Sequence, residues 1–149
     1  MNTVSTTERV LAEDMLKHIY HCEQQQRRPT VTSIAGALQI STDSVSNLIT
    51  RMTDHNLLRI EAGDIYLSPA GKEYALQIVR AHGLWERYLA DESGYHESEW
   101  HDLADKQEHD LSPNDIDALA ARLGNPIHDP HGDPIPGANG HFVPHEVGS

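Results

Sequence analysis

Apolar residues recur at intervals of three and four over most of this chain, and at intervals of two in one short stretch. Between residues 6 and 25, Leu11, Met15, Leu16, Ile19 and Tyr20 follow the helical interval, which predicts an amphipathic helix. Ser5-Thr6-Thr7 is the capping candidate before it, and the polar "EQQQRRPT" ends it. "VTSIAGALQI" predicts a short helix with Ile34, Ala35 and Leu38 inward. "STD" then reads as a turn whose Thr42 caps a following helix, "SVSNLITRMTDHN", with Val45, Leu48, Ile49 and Met52 inward. Two short helices across a tight polar turn make a helix-turn-helix. The alternating runs "LLRI" and "IYLS" flank "EAGD", where Gly63 supplies turn chemistry, and predict a β-hairpin in the position of a wing. Ser68-Pro69 starts a long helix running through Tyr88, and Ser112-Pro113 starts another that Gly124 stops. From Asn125 the chain turns to Pro, Gly, His and Asp and reads as an extended tail.

The predicted fold is therefore mainly α, a winged helix-turn-helix over residues 1–75 followed by an all-helical part over 76–149. With 149 residues the chain has room for one medium or two small cores. Cys22 is the one cysteine, which excludes an internal disulfide. There is no N-terminal basic and apolar leader and no apolar run of about 18 residues, so a soluble cytoplasmic protein without a membrane partner is expected. The formal charge of −12 argues against nucleic acid, but it is unevenly spread. Residues 1–80 net −1 and residues 81–149 net −11, and eight of the eleven histidines lie in the second part.

That second part contains "HDLADKQEH", in which His101, Asp105 and His109 recur every fourth residue and Glu108 lies three beyond Asp105. A helix sets all four on one face. Upstream, "HGLWERYL" places His82 and Glu86 four apart. Imidazoles and carboxylates without cysteine suit Mn, Fe(II), Co or Zn, whereas the bland alternative is a solvated helix face. In the first part, the start of the second helix of the helix-turn-helix and the turn before it carry Ser41, Thr42, Ser44, Ser46, Asn47, Thr50 and Arg51, groups suited to base edges and phosphate. His128 and His131 could bind metal but are expected in a turn that packs on the domain, and His141 and His145 in a disordered end. His18 and His21 read as surface or core residues, Cys22 as a small buried residue, and Trp85 and Trp100 as dimer or domain core.

The order of parts, "LSPAGKEYA", "RAHGLWERYL", "HDLADKQEH" and "PHGDPIP", resembles the diphtheria-toxin-repressor family of metal-dependent transcriptional regulators over about residues 6–137. The resemblance implies a homodimer of winged helices with two metals per subunit. By position it assigns His82, Glu86 and His101 to one metal site and Asp105, Glu108 and His109 to the other, with Asp14 of the first helix as a further ligand. Iron-type members have Met at Asp14 and Cys at Asp105; manganese-type members have a bridging Glu at Lys17. The chain stops shortly after "PHGDPIPG", as short members without an SH3-like domain do, so ligands from that domain are expected to be missing.

The expected function is thus a repressor that binds palindromic double-stranded operator DNA when loaded with Mn(II) or Fe(II), with Zn(II) or Co(II) as substitutes, and that has neither a catalytic residue nor a small-molecule substrate. The dimer is expected to be held by Leu84, Trp85, Tyr88, Leu89, Trp100 and Leu103. Competing readings are a winged-helix regulator whose histidines tune a pH response and a metal-dependent hydrolase; the second lacks a paired metal-protease signature and leaves the helix-turn-helix without a role.

Overall fold

The computed structural model describes residues 6–92 and 96–137. The chain divides between Ala75 and Leu76 into two units. The expectations for Ser5, for the side chain of Thr6, and for His141 and His145 lie outside the described residues.

The first unit begins with α1 (Thr6–Gln24), whose inward stripe of Met15, Leu16, Ile19 and Tyr20 is buried as its spacing requires. The hydroxyl of Thr30 accepts from the Ser33 amide at 2.9 Å and starts α2 (Val31–Leu38), which ends on Gln39 in the left-handed region. Helix α3 (Thr42–Asp54) buries Val45, Leu48 and Met52. Thr42 does not cap it. Ser41 does, because its extended backbone directs its hydroxyl to the Ser44 amide at 3.1 Å, and Thr42 is already the first helical residue. Strands β1 (Leu58–Glu61) and β2 (Asp64–Leu67) pair antiparallel, with Leu58 opposite Leu67 and Arg59 opposite Tyr66. Their two-residue turn places both Ala62 (φ 54°) and Gly63 (φ 82°) in the left-handed region, which matches the right-handed strand twist. The Leu67 amide donates to Glu23 at 3.1 Å and fastens the hairpin to α1.

Helix α4 (Pro69–Glu92) extends a turn beyond the expected Tyr88. Its cap, Ser68, accepts from the Gly71 amide at 3.0 Å and donates to the Asn56 carbonyl at 2.6 Å. Gly71 is obligatory there, since a Cβ would lie 2.0 Å from the Leu57 carbonyl oxygen.

The second unit holds α4 from Leu76 onward, α5 (Glu97–Gln107) and α6 (Pro113–Arg122). Ser112 and Asp115 form a reciprocal capping box before α6. Ala81, Leu84, Ile116, Ala120 and Ile135 form the core. Two expectations need correction. Helix α5 ends at Gln107, so Glu108 caps it and His109 lies past its end. The chain after Asn125 is not simply extended: His128 bridges Pro134, Asp129 accepts from the His131 and Asp133 amides, and Ile135 enters the core. Gly83 permits this, because a Cβ there would meet Ile135 at 2.8 Å.

Candidate metal centre and nucleic-acid face

His82 and Glu86 share a face of α4 because they are one helical turn apart. Glu86 is 2% exposed. His82 Nε2 lies 3.5 Å from Glu86 Oε1, and His101 Nδ1, on α5, lies 3.6 Å from Glu86 Oε2. The other face of the His82 ring meets the end of α5: Nδ1 is 2.7 Å from Glu108 and 3.2 Å from Asp105. His109 Nε2 is 3.3 Å from the second oxygen of Glu108, whose side chain is fully buried. Six of the seven expected ligands therefore converge, but not as two separate sets, since His82 faces both. The stripe expected along α5 is also graded by depth. The His101 side chain is 64% exposed and that of His109 4%, because α5 ends between them and the chain turns inward. Asp14, the seventh, is half-buried on α1 of the first unit, between buried Glu13 and Met15.

Burial alone would push the His82 imidazole down, but hydrogen bonds to Asp105, Glu108 and Glu86 together raise it to about 11. Burial would raise Glu86, yet His82, followed by His131 and His101, holds it below the usual carboxylate range. A buried charge is costly unless each of its oxygens has a partner, and Glu86 Oε2 has no hydrogen-bond partner. An oxygen of this kind is one that a divalent cation would satisfy. Ligands about 2.1 Å from a shared ion lie about 3.0 Å apart when adjacent at a right angle and about 4.2 Å when opposite. The ligand atoms of His82, Glu86 and His101, and those of His82, Asp105 and Glu108, each lie within 4.8 Å of one another, so the residues present fit such an ion.

One residue expected to pack as part of a turn lies beside the cluster instead. His131, in the turn after Asn125, points Nδ1 at Glu86 Oε1 across 3.9 Å, and Glu86, Asp129 and His131 form a further group within 4.8 Å. No periodicity connects residue 131 to residue 86, so spacing gave no reason to prefer a ligand over the packing turn expected there. His18 and Cys22 do touch, at 3.5 Å, but do not belong to any such group among the described residues.

On the first unit, Ser41, Thr42, Ser44, Ser46, Asn47, Thr50 and Arg51 are all exposed, as an α3 presented to DNA requires. Two of the hydroxyls also serve the backbone: Ser41 as cap, and Thr50 as donor to the Ser46 carbonyl at 3.1 Å. Arg51 pairs with Glu8. The hairpin brings up cations that sequence reading missed, with the Arg28 and Arg59 guanidinium groups 4.7 and 5.3 Å from the Tyr66 ring centre. Among the described residues no helix is long and apolar enough to cross a membrane.

Residues 68–137 match the family described as iron dependent repressor, metal binding and dimerisation domain. The iron-dependent repressor IdeR of Mycobacterium bovis is 37% identical over 84% of this chain and 55% of its own length. The diphtheria toxin repressor of Corynebacterium diphtheriae is 32% identical over 84% of this chain and 56% of its own. The chain thus spans little more than half the length of these relatives. A solved manganese-dependent transcriptional repressor in complex with manganese superposes with a TM-score of 0.81 at 35% identity, over 89% of this chain and 62% of that one. Capped helices, a winged helix-turn-helix and a buried imidazole–carboxylate cluster thus meet independent sequence and structural likenesses, and the chain belongs to the diphtheria-toxin-repressor family.

Proposed function

We propose that the protein is a metal-dependent transcriptional repressor that binds palindromic operator DNA as a homodimer, with Mn(II) or Fe(II) as activator and Zn(II) or Co(II) as substitutes. The observation that carries this reading is Glu86, a buried carboxylate with one oxygen lacking a hydrogen-bond partner, among imidazoles and carboxylates in a chain that also has a winged helix-turn-helix. His82, Glu86 and His101 would hold one ion, and Asp105, Glu108 and His109 another, with Asp14 as the link to the first unit. When bound, a cation supplies positive charge that offsets the buried carboxylates and fixes the residues around it. The donors contain no sulfur, which favours the harder ions.

The chain's own residues do the rest. Exposed Ser46 and Asn47 on α3 are suited to base edges, and Arg28 and Arg59 beside the wing to phosphate. Leu84 and Leu89, expected at the dimer contact, are 1% and 5% exposed within one chain and serve its interior. Trp85, Tyr88, Trp100 and Leu103 are half-buried and remain the candidates for a partner copy.

The test is to select duplexes from a random pool with purified protein and Mn(II), then to measure the affinity of the selected duplex by fluorescence anisotropy with Mn(II), Fe(II), Co(II), Zn(II) or a chelator. A gain of about 5- to 150-fold with Mn(II) or Fe(II) is expected. Affinity unchanged by the chelator would overturn metal dependence, and a gain confined to Zn(II) would overturn the choice of ion.

A further inference from the structure

The inward face of α3 is incompletely packed. A cavity of about 230 Å³ lies within the first unit between α1, α3 and the start of α4, walled by Ala12, Leu16, Leu48, Met52 and Leu57. Protein interiors leave few voids larger than a water molecule, and an apolar cavity of roughly 150 Å³ already takes a benzene. We infer that this cavity is a binding site for a small neutral molecule of two fused rings carrying one hydrogen-bond donor, and that its occupant acts on DNA affinity through α3. The binding itself is independent of the repressor reading above; the effect on DNA rests on that reading.

The chemistry of the occupant follows from how the polar groups around the cavity are already committed. Buried Glu13 accepts from the Tyr74 hydroxyl at 2.5 Å and from Arg9 Nη1 at 3.4 Å. The Tyr74 proton is thus given to Glu13, and burial followed by that carboxylate raises the phenol, so the hydroxyl stays protonated at neutral pH. What the inner end of the cavity presents is therefore acceptors, the phenol oxygen and the carboxylate. A ligand N–H or O–H suits that end, and a ligand acceptor would be repelled from it. Glu8 pairs with Arg51 and Glu13 with Arg9, so an ionic ligand gains little to repay its desolvation. The Glu8 and Arg51 side chains are 34% and 57% exposed against 8% for Glu13, so the cavity opens beside the first pair and the donor enters first. Leu48 and Met52 belong to α3, whose opposite side carries Ser46, Asn47 and Thr50. Filling the space restores contacts that an empty cavity forfeits and stiffens the seat of α3, which reduces the ordering that DNA binding would otherwise demand.

Nuclear magnetic resonance of protein with isotope-labelled methionine methyls tests this, because Met52 lines the cavity and Met15 does not. Indole is the probe, and indene is its match in shape without the N–H. The Met52 resonance is expected to move and saturate with indole at about 0.1 to 1 mM, and with indene at concentrations about 3- to 10-fold higher. Ala12→Leu, which fills the cavity, is expected to abolish the shift. Thermal melting monitors folding, and if Ala12→Leu melts early, Ala12→Val decides. With Mn(II) present, saturating indole is expected to tighten binding of the selected duplex at least about five-fold in wild type and not in the filled variant. A Met52 resonance that does not saturate, or that moves equally in the filled variants, would overturn the site. Equal affinity for indole and indene would overturn the ligand class, and duplex affinity that indole leaves unchanged or lowers would overturn the action through α3. Mn(II)-loaded protein that selects no duplex would overturn the repressor reading and that action together, while the Met52 titration still decides the site.

Discussion

His82 is the residue on which the cluster turns, because its two nitrogens face different carboxylates. With its pKa raised to about 11, the ring is an imidazolium throughout the neutral range. An imidazole that ligates a metal must be neutral, so binding at the proposed site would displace the proton, and affinity would rise with pH by up to about ten-fold per unit for each proton released. An ordinary histidine, near 6.5, would stop contributing to this slope above about pH 7.5. Wild-type Mn(II) affinity is therefore expected to keep rising from pH 7 to 8.5, which calorimetry at several pH values checks; a curve flat above pH 7.5 would sink the assignment. The spacing of His82 and Glu86 was readable in the sequence because it lies within one helix. The reach of His82 Nδ1 to Glu108, 26 positions away, was not, since it depends on where α5 stops and how it packs on α4.

Elements whose rules are local were legible. Ser68-Pro69 and Ser112-Pro113 start helices, the apolar stripes of α1 and α3 face inward, and the hairpin forms where alternation surrounds Gly63. What escaped were features set by tertiary contact: the stop of α5 at Gln107, the folding back of residues 128–135 onto Gly83, and the pairing of Arg59 with Tyr66, which needs the hairpin register. Burial of Glu13 escaped as well, because beside the local Arg9 it has a partner distant in sequence: Tyr74 donates to it at 2.5 Å, and burial followed by the Glu13 carboxylate raises the Tyr74 phenol. The hairpin turn carries one evident cost. Ala62 sits at φ 54°, where a residue with a Cβ is strained by about 1 to 2 kcal/mol and Asn is better tolerated. Ala62→Asn is expected to stabilise the protein by on the order of 1 kcal/mol, read as a higher midpoint in urea; a lower midpoint would contradict the turn geometry.

At the scale of the whole molecule, the two units differ in kind: a nearly neutral half with an exposed polar helix, and an acidic half that gathers the imidazoles. Asp14 is the proposed ligand that stands on the first of them. Removing it leaves the donors of the second unit in place, so Asp14→Ala is expected to lower Mn(II) affinity less than it lowers the Mn(II)-induced gain in DNA affinity, with the weak, salt-sensitive binding surviving. Parallel titrations of metal and of selected duplex decide this, and a gain as large as that of wild type would refute the coupling. The pairing of Arg51 with Glu8 bears on how such a protein would find its target. Arg51 is the one Lys or Arg of α3, and it already has an acidic neighbour, so α3 itself would release few condensed counterions, and the salt sensitivity of weak binding would rest on cations outside it such as Arg28 and Arg59. Attachment to unrelated sequence would then be anchored at the wing while the reading helix samples base edges, and the search for a site would depend on those two side chains more than on α3.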